Sequence, residues 1–145
     1  MAARFPRLIP HPSALLRLVR IWNLPTALAD PFAGYLAVAP LGAARPLRLA
    51  ATMLTSACIY SAGMAWNDIF DRQRDSELHP DRPLPSGGIG LPAAVKAGSA
   101  LVLLGLALAS SAGWRLFLLA LVLASLTFLY NGWLKHKGII GCLNM

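Results

Sequence analysis

The chain has 145 residues, 57% of them hydrophobic and only 13% charged. That excess over the apolar usage of soluble domains, about 45–50%, argues against a water-soluble fold and for helices held in a bilayer. The formal charge of +7 invites a nucleic-acid reading. Its basic residues, however, lie between apolar stretches with no aromatic interleaving, so they act as topology signals, and nucleic acid is set aside as a partner. Cys58 and Cys142 stand far apart, one of them inside an apolar run, which leaves neither a disulfide framework nor a zinc spacing.

From the N-terminus, residues 1–12 carry three prolines and read as an irregular arm. Ser13 is placed to cap a helix beginning with Leu15, Leu16 and Leu18. The arm is basic (Arg4, Arg7, Arg17, Arg20), but the apolar segment after it is long and lacks the cleavage pattern of a signal peptide. A first span is expected over about 21–41. It contains Asn23, Pro25, Asp30 and Pro31, polar or helix-breaking groups that belong against a bundle interior if they are in the membrane at all. An interfacial, kinked segment with no ligand is the plainer account of Asp30. Gly42 to Pro46 reads as a turn, and a second span over about 47–66 is nearly all apolar and small residues, which permit close helix approach.

The stretch 67–92 is a polar motif loop in which Pro80, Pro83, Pro85 and Ser86-Gly87-Gly88 stop any helix. Third and fourth spans follow over about 93–112 and 116–134, linked by Gly113-Trp114-Arg115. Each is near the length needed for a hydrocarbon core of about 30 Å. The expected fold class is therefore all-α, a polytopic transmembrane helical bundle of about four spans in one membrane domain. With the N-terminus inside, Arg4, Arg7, Arg17, Arg20, Arg72, Arg74, Arg82, Lys96, Lys135 and Lys137 are cytoplasmic, and only Arg45, Arg48 and Arg115 are external. The positive-inside bias favours that arrangement, and a bacterial inner membrane is the expected setting.

Within the motif loop, Asn67, Asp71 and Asp75 recur every four residues. On a helix each step of four advances roughly 400° and about 6 Å, so the three share one face. Carboxylates one turn apart repel unless a cation lies between them. Oxygen-only ligands suit a hard ion, and Mg²⁺ takes one or two carboxylates together with water and substrate phosphate. The expected metal ligands are Asn67, Asp71 and Asp75 of a magnesium–diphosphate site at the membrane surface; were the diphosphate allylic, its isoprenoid tail would lie along the apolar helices.

Departure of the diphosphate builds negative charge on the leaving group, which a metal ion and basic side chains stabilise. Arg82 is the leading clamp, with Arg72, Arg74 and Lys135 behind it. Tyr60 stands seven residues before Asn67 on the same stripe and offers an aromatic face to an allylic cation. Plainer readings stand beside these. Arg72 and Arg74 fit an ordinary positive-inside cluster, Tyr60 and Met64 fit bundle packing, and a solvated helix end can carry two acids by chance.

Asn67-Asp68-x-x-Asp71-x-x-x-Asp75 resembles the NDxxDxxxD motif of the UbiA-type intramembrane prenyltransferases, and Arg82-Pro-Leu-Pro-Ser-Gly87 is similar to that family's loop between its second and third helices. Tyr130 followed by Lys135 is similar, with looser spacing, to a Tyr–basic pair at the end of the fourth helix. Arg20-x-x-Asn23-x-x-Thr26 and Ala29-Asp30 look like the first helix of the EboC-like branch. The resemblance implies a prenyltransferase, with Asp71, Asp75 and Arg82 as catalytic residues and Asn67, Tyr60, Arg72, Lys135 and Asn23 contacting substrate. It implies Mg²⁺ as cofactor and transfer of an isoprenoid group to an acceptor whose identity is not legible.

Family members carry a second DxxxD motif after the sixth helix, and this chain has none; Glu77 and Asp81 have the spacing, but Pro80 and Pro83 prevent a helical pair. The expectation is an N-terminal half that is inactive alone. Two alternatives stand beside this reading. A CDP-alcohol phosphotransferase needs DG followed by AR, whereas Asp71 is followed by Arg72-Gln73. A transporter-like or structural membrane fragment would keep the fold without the chemistry.

Overall fold

The structure, a computed structural model, describes residues 12–38 and 45–136. Over these the chain is helical, with no strand: α1 (Pro12–Leu18), α2 (Leu24–Val38), α3 (Pro46–Phe70), α4 (Arg72–Leu78), α5 (Leu91–Ala112) and α6 (Trp114–Gly132), with short 3₁₀ turns at Ile21–Asn23 and Leu134–His136. Prolines stand at the first turn of α3 and of α5, where a missing N–H costs nothing. Helix α3 is the hub, packing on α2, α5 and α6.

Three helices, α3, α5 and α6, are long and apolar enough to cross a membrane. The first expected span differs. Its described helix, α2, has 15 residues with Pro31 inside, and residues 39–44, which include most of the expected Gly42–Pro46 turn, lie outside the described residues, as do 1–11 and 137–145. Helix α1 begins at Pro12, so Ser13 falls within its first turn rather than ahead of it. Helix α3 runs four residues past the expected end of its apolar segment, and α4 carries helix on to Leu78 before the prolines of the loop take over.

Small side chains set the closest approaches. A Cβ on Gly105 of α5 would stand 3.1 Å from the Cδ1 of Ile59 and 3.2 Å from the Cβ of Cys58. Beside that contact the buried Thr55 hydroxyl donates to the Gly105 carbonyl at 3.3 Å. Helix α6 is tied to α3 in a similar way, by the buried Asn131 amide donating to the Gly63 carbonyl at 3.4 Å. Such bonds hold helices together where lipid offers no hydrophobic drive between them. The α5–α6 link turns at Gly113, whose φ of 131° and ψ of 158° lie in a region open essentially only to glycine.

A compact apolar cluster closes the polar end. Ala14 and Leu18 of α1, Ala65 and Ile69 of α3, Ile89 of the loop and Ala94 of α5 are buried together. This cluster presses α1 and the 79–90 loop onto the C-terminal end of α3. It thereby brings Arg20 and Arg82 to the acids at that helix end, Asp68 and Asp75.

Candidate functional site

Helix α3 ends at Phe70, and Asp71 sits between α3 and α4 with φ −86° and ψ 1°. The backbone bonds Asp71 N–H to Asn67 C=O (2.9 Å) and Asp75 N–H to Asp71 C=O (2.8 Å) carry across the break. The expected single stripe is therefore continuous in backbone but divided in its side chains. Asn67 and Asp71 turn to one cation and Asp75 to another.

At the first pole, the Lys135 ammonium lies 2.8 Å from Asp71 Oδ1 and donates to Asn67 Oδ1 at 3.2 Å. Lys135 comes from the turn after α6, which folds back over the end of α3. At the second pole, Arg82 Nη1 donates to Asp75 Oδ2 at 2.6 Å and stands 3.7 Å from Asp68 Oδ1. Arg20 Nη2 approaches the same Asp68 oxygen at 3.5 Å. The Asp68 and Asp75 side chains are each only 5% exposed, so removing the cation beside either would strand a carboxylate away from water, a loss of about 3–5 kcal/mol when the burial is deep. Arg20 holds its position through a left-handed backbone (φ 51°, ψ 54°), a conformation that costs a non-glycine residue about 1–2 kcal/mol.

Asp68 is the group that spacing did not single out as a site residue. It is buried, faces two guanidinium groups and leaves Oδ1 without a hydrogen-bond partner among the described residues. Arg20 likewise enters as a site residue only through its fold position. Of the other expected residues, Tyr60 is half-buried and lines an apolar cleft with Thr52, Thr55, Ser56 and Leu123, about 10 Å along α3 from Asn67. Asn23 is exposed in its 3₁₀ turn, where its carbonyl accepts from the Thr26 hydroxyl at 2.6 Å. Arg72 is exposed on α4 and is not among the cations paired with the acids. Asp30 is exposed on α2.

Among the described residues no group of three His, Cys, Asp or Glu side chains is placed to hold a metal ion. The donor chemistry at the first pole still fits a hard cation. The Asn67 and Asp71 oxygens already converge on a single positive charge, within 3.2 Å of the Lys135 nitrogen. One carboxylate and one amide oxygen suit an ion that keeps water and takes phosphate oxygens for its remaining positions.

Beside the poles, an apolar groove of about 580 Å³ opens between α3, α5 and α6, lined by Ile59, Trp66, Val102, Leu106 and Phe128 among others. Trp66, Phe70 and Phe128 pack edge to face or tilted at its polar end, with ring centroids 5.1–5.9 Å apart.

Comparison with known proteins places these features in context. The model of the UbiA prenyltransferase family matches residues 25–143. A digeranylgeranylglyceryl phosphate synthase of Sulfurisphaera tokodaii is 33% identical over 130 residues, 90% of this chain and 46% of that protein. One from Metallosphaera sedula is 35% identical over 128 residues, 88% of this chain and 45% of that protein. A solved structure described as giving insight into digeranylgeranylglyceryl phosphate synthase in membranes superposes with a TM-score of 0.80 and 31% identity, covering 85% of this chain and 44% of that one. The chain spans about half the length of the curated relatives it matches.

Proposed function

The chain belongs to the UbiA prenyltransferase family, and from that premise we propose that its charged helix end serves metal-assisted transfer of an isoprenoid group from its diphosphate to an acceptor. The observation that carries this reading is the convergence of Asn67 Oδ1 and Asp71 Oδ1 on one cation, Lys135 Nζ, at 3.2 and 2.8 Å. Asn67 and Asp71 would hold a divalent ion, Mg²⁺ by the hardness of the donors. When bound, that ion supplies Lewis-acid stabilisation to the departing diphosphate.

The chain's own residues do the rest. Lys135, displaced from Asp71, is free to donate to a diphosphate oxygen. Arg82, anchored by Asp75, presents further donors at the opposite pole, and its planar fork suits phosphate. The apolar helix faces give the prenyl tail a dry path beside them, where water cannot intercept an allylic cation. The acceptor follows the relatives: their name describes a lipid with prenyl groups on glyceryl phosphate, so we assign this chain an acceptor of that chemistry in the same membrane. With one acidic motif, the 145-residue chain alone is expected to hold metal–diphosphate weakly and to turn over poorly. The relatives named above are archaeal, which draws the expected setting away from a bacterial inner membrane.

The test is pyrophosphate binding to the purified chain in nanodiscs, with and without Mg²⁺. Asp71→Asn should remove the Mg²⁺-dependent part of the affinity, at least tenfold, and leave the fold intact by circular dichroism. A second reading is favoured by one observation, that Asp71 and Asp75 are each already paired with an internal cation. It takes the pairs as structural ties alone, and Mg²⁺-independent binding unmoved by Asp71→Asn would establish it.

A further inference from the structure

The end of the bundle opposite the acids carries a cleft of about 410 Å³, where the first turns of α3 meet the α5–α6 link. Arg48, Thr52, Gly113, Trp114, Arg115 and Leu116 line it. The transfer reading uses none of them.

This cleft offers positive charge and hydrogen-bond donors with no carboxylate to balance them. The chain has six acidic residues. Asp30 lies in the middle of α2, and the other five fall within 68–81 at the far end. Among the described residues Arg48 and Arg115 accordingly enter no ion pair. Both are nonetheless placed by the fold. A Cβ built on Gly113 would stand 4.0 Å from Arg48 Nη2, so Arg48 reaches from α3 across to the α5–α6 turn. Arg115 lies over the Trp114 ring, 5.5 Å from its centroid. A cation–π contact of that kind holds a guanidinium without a hydrogen-bond acceptor, so its N–H fork stays available. The Thr52 hydroxyl already donates to the Arg48 carbonyl at 2.8 Å, which leaves the arginines as the donors of the cleft. Two such forks on one cleft suit the oxygens of a phosphate.

The surroundings say what carries that phosphate. Trp114 is 68% exposed, as a ring at headgroup level is. Directly along α6 from it, Leu118 and Leu119 are exposed, and Leu47 beside Arg48 is exposed on α3. Hydrocarbon chains would cover that apolar surface, and a free phosphate ion would leave it bare.

We propose that the cleft binds the headgroup of an anionic phospholipid, its phosphate held between Arg48 and Arg115 and its acyl chains laid along Leu118 and Leu119 of α6. The site is separate from the charged poles and does not depend on the transfer reading. It ties the turn between two spans to the membrane surface.

The experiment titrates the purified chain in detergent with phosphatidylglycerol, which is anionic, or phosphatidylcholine, which carries the same phosphodiester without net charge. Native mass spectrometry counts the bound lipid. Phosphatidylglycerol should bind at least fivefold tighter. Arg48→Gln and Arg115→Gln should each weaken it by about fivefold, the effect of one arginine at an anionic lipid surface. Both positions are exposed, so the variants should fold, which circular dichroism checks. Arg45→Gln is the control: Arg45 is exposed at the same end but does not line the cleft, and its loss should leave binding unchanged. A phosphatidylglycerol with a photoreactive diazirine in its acyl chain should label the peptide around Leu118 and Leu119, and inorganic phosphate in large excess should not displace it.

The proposal is overturned by equal affinity for the two lipids, by label found only elsewhere, or by Arg45→Gln weakening binding as much as the cleft variants, which would reduce the effect to diffuse surface charge. Displacement by inorganic phosphate would overturn the lipid assignment in favour of a soluble anion. Asp71→Asn should leave all these affinities alone, so failure of Mg²⁺–pyrophosphate binding would not touch this site.

Discussion

Lys135 occupies the place where an electrostatic argument puts a metal, between an aspartate and an asparagine one helical turn apart. Its ammonium lies 2.8 Å from Asp71, and both side chains are mostly shielded from solvent. An ion pair of this kind is worth about 1 kcal/mol, enough to compete with a divalent ion by about fivefold. Lys135→Met removes the charge and keeps the alkyl stem. We expect Mg²⁺ alone to bind about fivefold more tightly to that variant, while pyrophosphate with Mg²⁺ binds about tenfold more weakly because the phosphate loses a donor. Isothermal titration in nanodiscs with each ligand separates the two effects; unchanged affinity for both would reduce Lys135 to a tie between α6 and α3. The spacing of Asn67, Asp71 and Asp75 and the Arg82 loop were readable from the sequence, because a helical period is a local property. The split between Lys135 and Arg82 was not, since it depends on the break at Asp71, where neither glycine nor proline marks a helix end. Asp68 escaped as a site residue because it stands about 100° around the helix from Asn67, off the stripe, and only the packing of α1 brings Arg20 to it.

At the scale of elements, the site is held by how closely α5 can approach α3. Gly105 meets Ile59 and Cys58 at distances that leave a methyl group little room, and the Thr55 hydroxyl spans the same contact. Overpacking of a tight contact costs about 1–3 kcal/mol. In a Cys142→Ser background, Gly105→Val should therefore lower the midpoint of thermal unfolding in detergent by several degrees, with Gly105→Ala milder, as followed by thiol-reactive fluorescence at the buried Cys58. Equal midpoints for valine and wild type would show that the helices part without cost. The abundance of small residues in 47–66 made close packing of α3 predictable. Its partner did not follow from sequence, since α5 is as rich in alanine and glycine on several faces. The role of α1 was also hidden. A seven-residue helix behind a proline-rich arm gives too short a pattern for its buried face, Ala14 and Leu18, to stand out.

The whole molecule has two unlike ends, and the difference bears on how it sits in a membrane. One end gathers Arg17, Arg20, Arg82 and Lys135 around four acid or amide groups and the long loop. The other is a tight turn where Arg48 and Arg115 line a cleft with Thr52 and Trp114. There Arg115 stacks 5.5 Å over the Trp114 ring, and Trp114 itself is largely exposed, as residues anchored at a lipid interface are. Between the ends, α5 and α6 present leucines outward at Leu103, Leu104, Leu118, Leu119 and Leu126, surface that only lipid or another helix tolerates. We propose that the acid-bearing end faces the cytoplasm, as the positive-inside bias favours. Single cysteines at Ser76, exposed on α4, and Ser111, exposed at the end of α5, put this to measurement in a background with Cys58→Ala and Cys142→Ser. In intact cells a membrane-impermeant maleimide should label Ser111→Cys and spare Ser76→Cys, and permeabilised cells should label both. The reverse pattern would place the charged poles outside, where cytoplasmic prenyl diphosphate could not reach them, and the transfer reading would lose its substrate.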